Sequence, residues 1–278
     1  MTYREAWKIG TIQLQKADVP DAEHDAKELL FLATGMSVDD WLLKSSEKIS
    51  ENEATRFSEY IGRRAAREPL QQITGVQYFC GLPIHVTKDT LCPRQETEVW
   101  VDSILPLCRN ATVLDMCTGT GCIAISIAKL GAPKSVTAAD ISKSALAVAR
   151  DNADNNQVKV EFIESDMFAE IKDTYDIIVS NPPYIPAIQM KTLMPEVKDY
   201  EPEIALYGGE DGLDFYRIIT KEAVKHLRKD NETGGYLVVE IGFDQGVSVP
   251  ELFRNMGFSD VKVIKDYAGL DRVVMGHL

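Results

Sequence analysis

No apolar run in the 278 residues approaches the about 20 that a helix needs to cross a bilayer, which excludes a helical membrane anchor. The opening residues Met1-Thr2-Tyr3-Arg4-Glu5-Ala6-Trp7-Lys8 have neither the apolar stretch nor the small-residue cleavage site of a signal peptide, so a cytoplasmic protein is expected. Histidines number only four, and no H-E-x-x-H or Cys-x-x-Cys spacing occurs. The five cysteines (Cys80, Cys92, Cys108, Cys117 and Cys122) are an odd number without a pairing logic, which points to reduced thiols in or near the core and to no structural metal. Positive charge is also short, with 30 basic against 43 acidic residues and a net charge of −13. Such a chain repels a phosphate backbone, so no stable nucleic-acid partner is expected. The one dense basic cluster, Arg63-Arg64-Ala65-Ala66-Arg67, reads as the solvated face of a helix.

What is present is a globular composition, 45% apolar, with a length suited to two domains. The first 75 residues or so carry helical periodicity only. One helix starts near Pro20-Asp21 and runs to Ala33, with Gly35 as its stop. Ser37 suits the N-cap of a short helix through Trp41 and Leu42. Ser50-Glu51-Asn52-Glu53 is a capping box opening a helix with Phe57 and Ile61 inward. Two β-rich runs, Val76 to Phe79 and Leu82 to Val86, flank a Cys80-Gly81 turn and read as a hairpin. A helix follows from about Glu96 to Leu107.

Beyond Asn110 strands and helices alternate. Strands are expected at 112–115, 135–139, 158–162, 175–180 and 235–240, with helices over 122–130, 142–155 and 214–227 between them. That alternation predicts an α/β fold with a doubly wound parallel sheet and ligands at the C-terminal strand ends. Segments near 259–263 and 272–275 can add an antiparallel edge.

The first of these strands ends at Asp115 and opens into Met116-Cys117-Thr118-Gly119-Thr120-Gly121. A glycine-rich turn before a helix lets backbone approach a ligand. The spacing is G-x-G without a third glycine, because Ala124 stands where it would fall. Asp115 ahead of the loop would repel a pyrophosphate but suits an ammonium, and S-adenosylmethionine carries both an ammonium and a sulfonium. Asp140, at the end of the second strand, suits the two ribose hydroxyls, with a helix N-cap as its plain alternative. Asp166 suits the adenine amino group, and Phe168 either the adenine face or the core.

The fourth strand delivers Asn181-Pro182-Pro183-Tyr184. Consecutive prolines fix φ and remove two donors, leaving a rigid turn with unpaired carbonyls. The Asn181 oxygen and a neighbouring carbonyl can accept both hydrogens of one NH2 group, while Tyr184 offers a flat face to a planar π-system. These features predict methyl transfer to an amide or amine nitrogen, with Asn181, Pro182 and Tyr184 as the catalytic set and Asn181 to Tyr184 as the substrate grip. On the motif alone, an adenine or guanine amino group of DNA or RNA remains open beside a protein amide. A non-catalytic module would require a broken cofactor site, which the residues at Asp115, Gly119, Gly121 and Asp140 argue against.

The chain closely resembles the PrmC/HemK family. The resemblance rests on Arg67-Glu68-Pro69-Leu70-Gln71-Gln72-Ile73-Thr74-Gly75, Pro93-Arg94-Gln95-Glu96-Thr97-Glu98, the Asp115–Gly121 loop and Asn-Pro-Pro-Tyr. It continues through Glu201-Pro202, Gly208-Gly209-Glu210-Asp211-Gly212-Leu213, Glu240-Ile241-Gly242 with Gln245-Gly246, and Asp271-Arg272-Val273-Val274. It implies a seven-stranded Rossmann-like methyltransferase domain over 93–278, a hairpin linker over 76–92 and a small helical bundle over 1–75 that docks release factors. The implied reaction carries a methyl from S-adenosyl-L-methionine to N5 of the glutamine in the Gly-Gly-Gln motif of peptide chain release factors, modulating translation termination and leaving S-adenosyl-L-homocysteine. The family's cofactor role falls on Cys117, Thr118, Gly119, Thr120, Gly121, Asp140, Phe168 and Asn181. The family's usual residues differ at three places: Gly where Cys117 stands, Ile for Cys92 and Pro for Gln95. A monomer is expected.

Overall fold

Three of the first four helices open on the same device. In the computed structural model, which describes residues 1–229 and 235–278, Thr2, Ser37 and Ser50 each accept from the backbone of the residue three positions on. The acids there (Glu5, Asp40 and Glu53) reach back to the cap backbone. Each such cap stabilises its helix by about 1 kcal/mol. They begin α1 (Tyr3–Lys16), α3 (Val38–Lys44) and α4 (Glu51–Ala65). Between the first two lies α2 (Ala22–Thr34), closed by Gly35 in the left-handed conformation at φ 72°, and α5 (Leu70–Thr74) completes the set. Leu14, Leu29, Leu30, Phe57 and Ile61 form its core. The sequence did not announce α1 as a separate helix, because its buried stripe is Ala6, Gly10 and Leu14, two of them too small to mark a hydrophobic face.

This helical unit comprises Met1–Gly75 together with Met194–Tyr200, a segment that the sequence reading leaves within 93–278. The basic cluster explains the inclusion and corrects the expectation of a solvated face. Only Arg63 fits that expectation, paired with Glu68 at the surface. Arg64 is buried, its guanidinium 2.7 Å from Asp25 and 3.0 Å from Glu196. Arg67 forks onto the same Glu196 carboxylate at 2.7 and 2.6 Å. The Tyr200 hydroxyl donates to the Ala66 carbonyl.

The second unit, Val76–Leu193 with Glu201–Leu278, begins with the hairpin of β1 (Val76–Phe79) and β2 (Leu82–His85), turned at Cys80-Gly81 with both residues at positive φ. There follow α6 (Gln95–Cys108), β3 (Thr112–Met116), α7 (Cys122–Leu130), β4 (Ser135–Asp140), α8 (Lys143–Asn155), β5 (Glu161–Glu164) and β6 (Ile177–Ser180). Two short helices come next, α9 (Ala187–Met190) and α10 (Pro195–Lys198), the latter in the helical unit. Then come α11 (Asp214–His226), β7 (Tyr236–Glu240), α12 (Ser248–Asn255), β8 (Ser259–Lys265) and β9 (Asp271–His277).

The seven strands run in the order β5-β4-β3-β6-β7-β9-β8, with β9 antiparallel to both β7 and β8 and the other pairings parallel. This is the doubly wound sheet with an antiparallel edge that the alternation predicts. Successive residues of the central strands feed opposite cores: Val113, Ile177 and Val238 one, Leu114, Ile178 and Val239 the other. One strand is displaced from expectation. The run at 158–162 pairs only from Glu161, because Gln157 turns left-handed at φ 56° and Val158 still bonds back to Ala153 at the end of α8. Among the described residues no helix is long and apolar enough to cross a membrane.

Candidate active site

Strand order reverses between β3 and β6, and a parallel sheet opens a crevice at such a point. The loop leaving β3 is shaped by three left-handed residues, Cys117 (φ 60°), Gly119 (φ 55°) and Gly121 (φ 79°). Cys117 therefore stands at a backbone position that favours glycine, the residue usual in the resembled family. Asp115 braces the loop from behind: one carboxylate oxygen accepts from the Thr118 hydroxyl at 2.6 Å and from the Ala124 N–H at 3.2 Å. Its other oxygen is buried with no hydrogen-bond partner among the described residues. Complete burial pushes the Asp115 carboxyl up to about 7, and the nearby Asp140 charge adds to this against the two hydrogen bonds.

Asp140 ends β4 and ties two loops together, accepting from Gly119 N–H and Ser142 N–H at 2.9 Å each. Burial raises its pKa as well. Each of its oxygens keeps lone-pair capacity for a ligand hydroxyl. Asn152, fully buried on α8, joins the loop to the hairpin by donating to the carbonyls of Thr120 and His85.

A cavity opens at these strand ends. Its wall includes Cys117, Thr118, Gly119 and Thr120 from the loop, Asp140 and Asp166 from the neighbouring strand ends, and Asn181 and Pro183 from the turn after β6. Five of the expected residues lie off that wall. Asp115 is behind the loop. At Gly121 an added Cβ would stand 3.1 Å from the Ala149 Cβ, so the glycine serves the packing of α7 on α8. Phe168 belongs to the second core and stacks on the half-buried His226, centroids 5.2 Å apart. Pro182 is buried, and Tyr184 packs against the second core with its hydroxyl pKa raised by burial. The wall also holds residues that sequence reading left out. Ile141, 47% exposed, and Met167 give it apolar faces, and Arg94 reaches it from the start of α6. Arg94 is paired with the buried Glu201 at 2.6 Å, and burial lifts the Glu201 pKa against that cation. Arg94 stood in a resembled motif, but nothing local marked it as facing a ligand.

The turn itself has a distinctive hydrogen-bond economy. Ser180 donates to the Met116 carbonyl at 2.7 Å, which joins the ends of β6 and β3. After it, no described residue donates to the carbonyls of Asn181, Pro182 or Pro183, and the Asn181 side chain has no partner either. The next fixed points are the Tyr184 carbonyl, which accepts from Gln245 Nε2 at 3.2 Å, and the short bridge of Ile185 with Tyr207.

A doubly wound sheet with this glycine loop, strand-end acids and Asn-Pro-Pro-Tyr turn defines a methyltransferase, and a model of the methyltransferase small domain matches residues 96–196. A solved methyltransferase from Pyrococcus furiosus shares the fold, with a TM-score of 0.54 at 22% identity over 71% of this chain and 89% of that one. The PrmC N-terminal domain matches residues 5–75. A release factor glutamine methyltransferase of Agrobacterium fabrum is 41% identical over 271 residues, 94% of this chain and 92% of the relative. One from Geobacter sulfurreducens is 39% identical over 282 residues, 99% and 98% of the two. The chain belongs to the release factor glutamine methyltransferase family.

Proposed function

We propose that this protein transfers the methyl group of S-adenosyl-L-methionine to the side-chain amide nitrogen, N5, of the glutamine in the Gly-Gly-Gln motif of peptide chain release factors. The observation that carries the reading is the rigid turn that brings Asn181 and Pro183 to the cavity wall, with no partner among the described residues for the Asn181 side chain or for the carbonyls of Asn181 to Pro183. The donor set of that cavity fits the cofactor. Its wall carries the carboxylates of Asp89, Asp140 and Asp166 against one cation, Arg94, which Glu201 already pairs. That balance favours a cationic, hydroxyl-bearing nucleoside over a pyrophosphate. Asp140 would accept from the ribose hydroxyls, Asp166 from the adenine amino group, and Ile141 and Met167 would cover the ring.

When bound, the cofactor supplies an electrophilic methyl group on a sulfonium. An amide nitrogen is a poor nucleophile because its lone pair is delocalised into the carbonyl. Asn181 Oδ1 and an adjacent carbonyl accept both amide hydrogens, raising electron density on nitrogen and holding it in line. Positioning of this kind supplies several kcal/mol of a barrier. No strong base is required of the chain, since the extra proton on nitrogen is acidic once the bond to carbon forms. Asp115 serves by holding the loop. The helical unit docks the release factor, because a shallow site cannot select one glutamine alone. A monomeric, cytoplasmic enzyme suits this reaction.

The test is incubation with methyl-labelled S-adenosylmethionine and either a release factor or total RNA. Label on the release factor alone is expected. Label confined to RNA would transfer the assignment to a nucleobase amino group.

A further inference from the structure

The Asn181–Tyr184 turn is gripped from behind by residues that do not line the cavity. Gln245 is buried, and its amide makes four hydrogen bonds. Oε1 accepts from the Gly242 N–H at 2.8 Å and the Tyr216 hydroxyl at 3.3 Å. Nε2 donates to the carbonyls of Tyr184 at 3.2 Å and Gly212 at 3.1 Å. Two glycines complete the grip. A Cβ at Gly208 would stand 2.7 Å from the Tyr184 Cα and 2.8 Å from the Pro183 carbonyl oxygen. One at Gly212, whose φ is 75°, would collide with the Tyr184 carbonyl oxygen.

The carbonyl of Tyr184 is thus held by a fully satisfied side-chain amide, while the three carbonyls before it have no donor among the described residues. Two prolines in that stretch already have fixed φ. Pinning the last peptide plane removes much of the remaining freedom and decides where the earlier acceptors point. A buried glutamine bonded on every side is costly to misplace, because each lost partner leaves a desolvated polar group.

We propose that Gln245 is a positioning residue for methyl transfer: with Gly208 and Gly212 it fixes the Tyr184 carbonyl and thereby aims the acceptors of the turn, the Asn181 side chain first, at the substrate NH2. The inference rests on the amide-methylation reading above. It gives work to the Gly208–Gly212 and Gln245 motifs, which the cofactor cavity leaves without a role.

Gln245→Glu keeps the size and the acceptor oxygen but sets an oxygen against two carbonyls. Turnover on an intact release factor, S-adenosylmethionine affinity and melting temperature are measured together for the wild type and the variant. The expected result is a kcat lower by about tenfold or more, with KM for the release factor and the cofactor Kd each within about twofold. Gly212→Ala, which reaches the same carbonyl from the other side, is expected to give the same split and decides the matter if the first variant does not fold. A folded variant with wild-type kcat, or one that loses cofactor affinity in parallel with kcat, would overturn the proposal. A wild-type enzyme inactive on release factors would instead overturn the reaction assigned above, so the two failures are distinct.

Discussion

Asp115 shows how one buried group couples loop shape to pH. Its folded pKa is lifted from the ordinary carboxylate range to about 7 by burial, so between roughly pH 4 and 7 the native state holds a proton that the unfolded chain releases. Stability then falls as pH rises through that window and levels off above it. Asp115→Asn retains an oxygen for Thr118 and Ala124 and removes the titration. Melting temperatures from pH 5 to 8, without ligand, are expected to drop more steeply for the wild type than for the variant. Parallel curves would show that the carboxyl is ionised throughout.

At the scale of elements, the clasp on α10 is the least expected feature. Glu196 is 132 residues from Arg64, so no local pattern announces it, and the three arginines read as a solvated face. Arg64→Ala leaves Asp25 buried beside its lost partner, and by the usual cost of breaking a buried pair it should lose ~3–5 kcal/mol in chemical denaturation. Arg63→Ala breaks only an exposed pair with Glu68 and should lose under ~1 kcal/mol. Equal losses would contradict the division between clasp and surface. Elements marked by their own chemistry were legible: α3 by its Ser37 N-cap, α4 by its capping box, the hairpin by Cys80-Gly81, and β3 and β6 by the alternation of strands with helices. Those whose signal lies elsewhere were not. The apolar stripe of α1 is mostly alanine and glycine, and α12 carries Pro250 in its first turn, where a proline is tolerated although it reads as a breaker. The strand-end residues Asp140 and Asn181 could be read because topology places them. Arg94, Met167 and Gln245 meet the site only through folding.

Across the whole molecule, the net charge of −13 and the division into a helical unit and a sheet unit bear on how a protein substrate is chosen. With docking assigned to the helical unit, a chain lacking residues 1–75 should raise KM for an intact release factor by about tenfold or more, with the cofactor Kd little altered. Full-rate methylation of intact release factor by that truncated chain would remove the docking role. The account centres on the amide grip at Asn181. Its most direct test is single-turnover transfer from S-adenosylmethionine to an intact release factor, with the modified glutamine mapped by mass spectrometry, for wild type and Asn181→Ala. The account predicts methylation at that one glutamine and a rate lower by ~10²-fold or more in the variant at nearly unchanged cofactor affinity. An equal rate in the two proteins would contradict it.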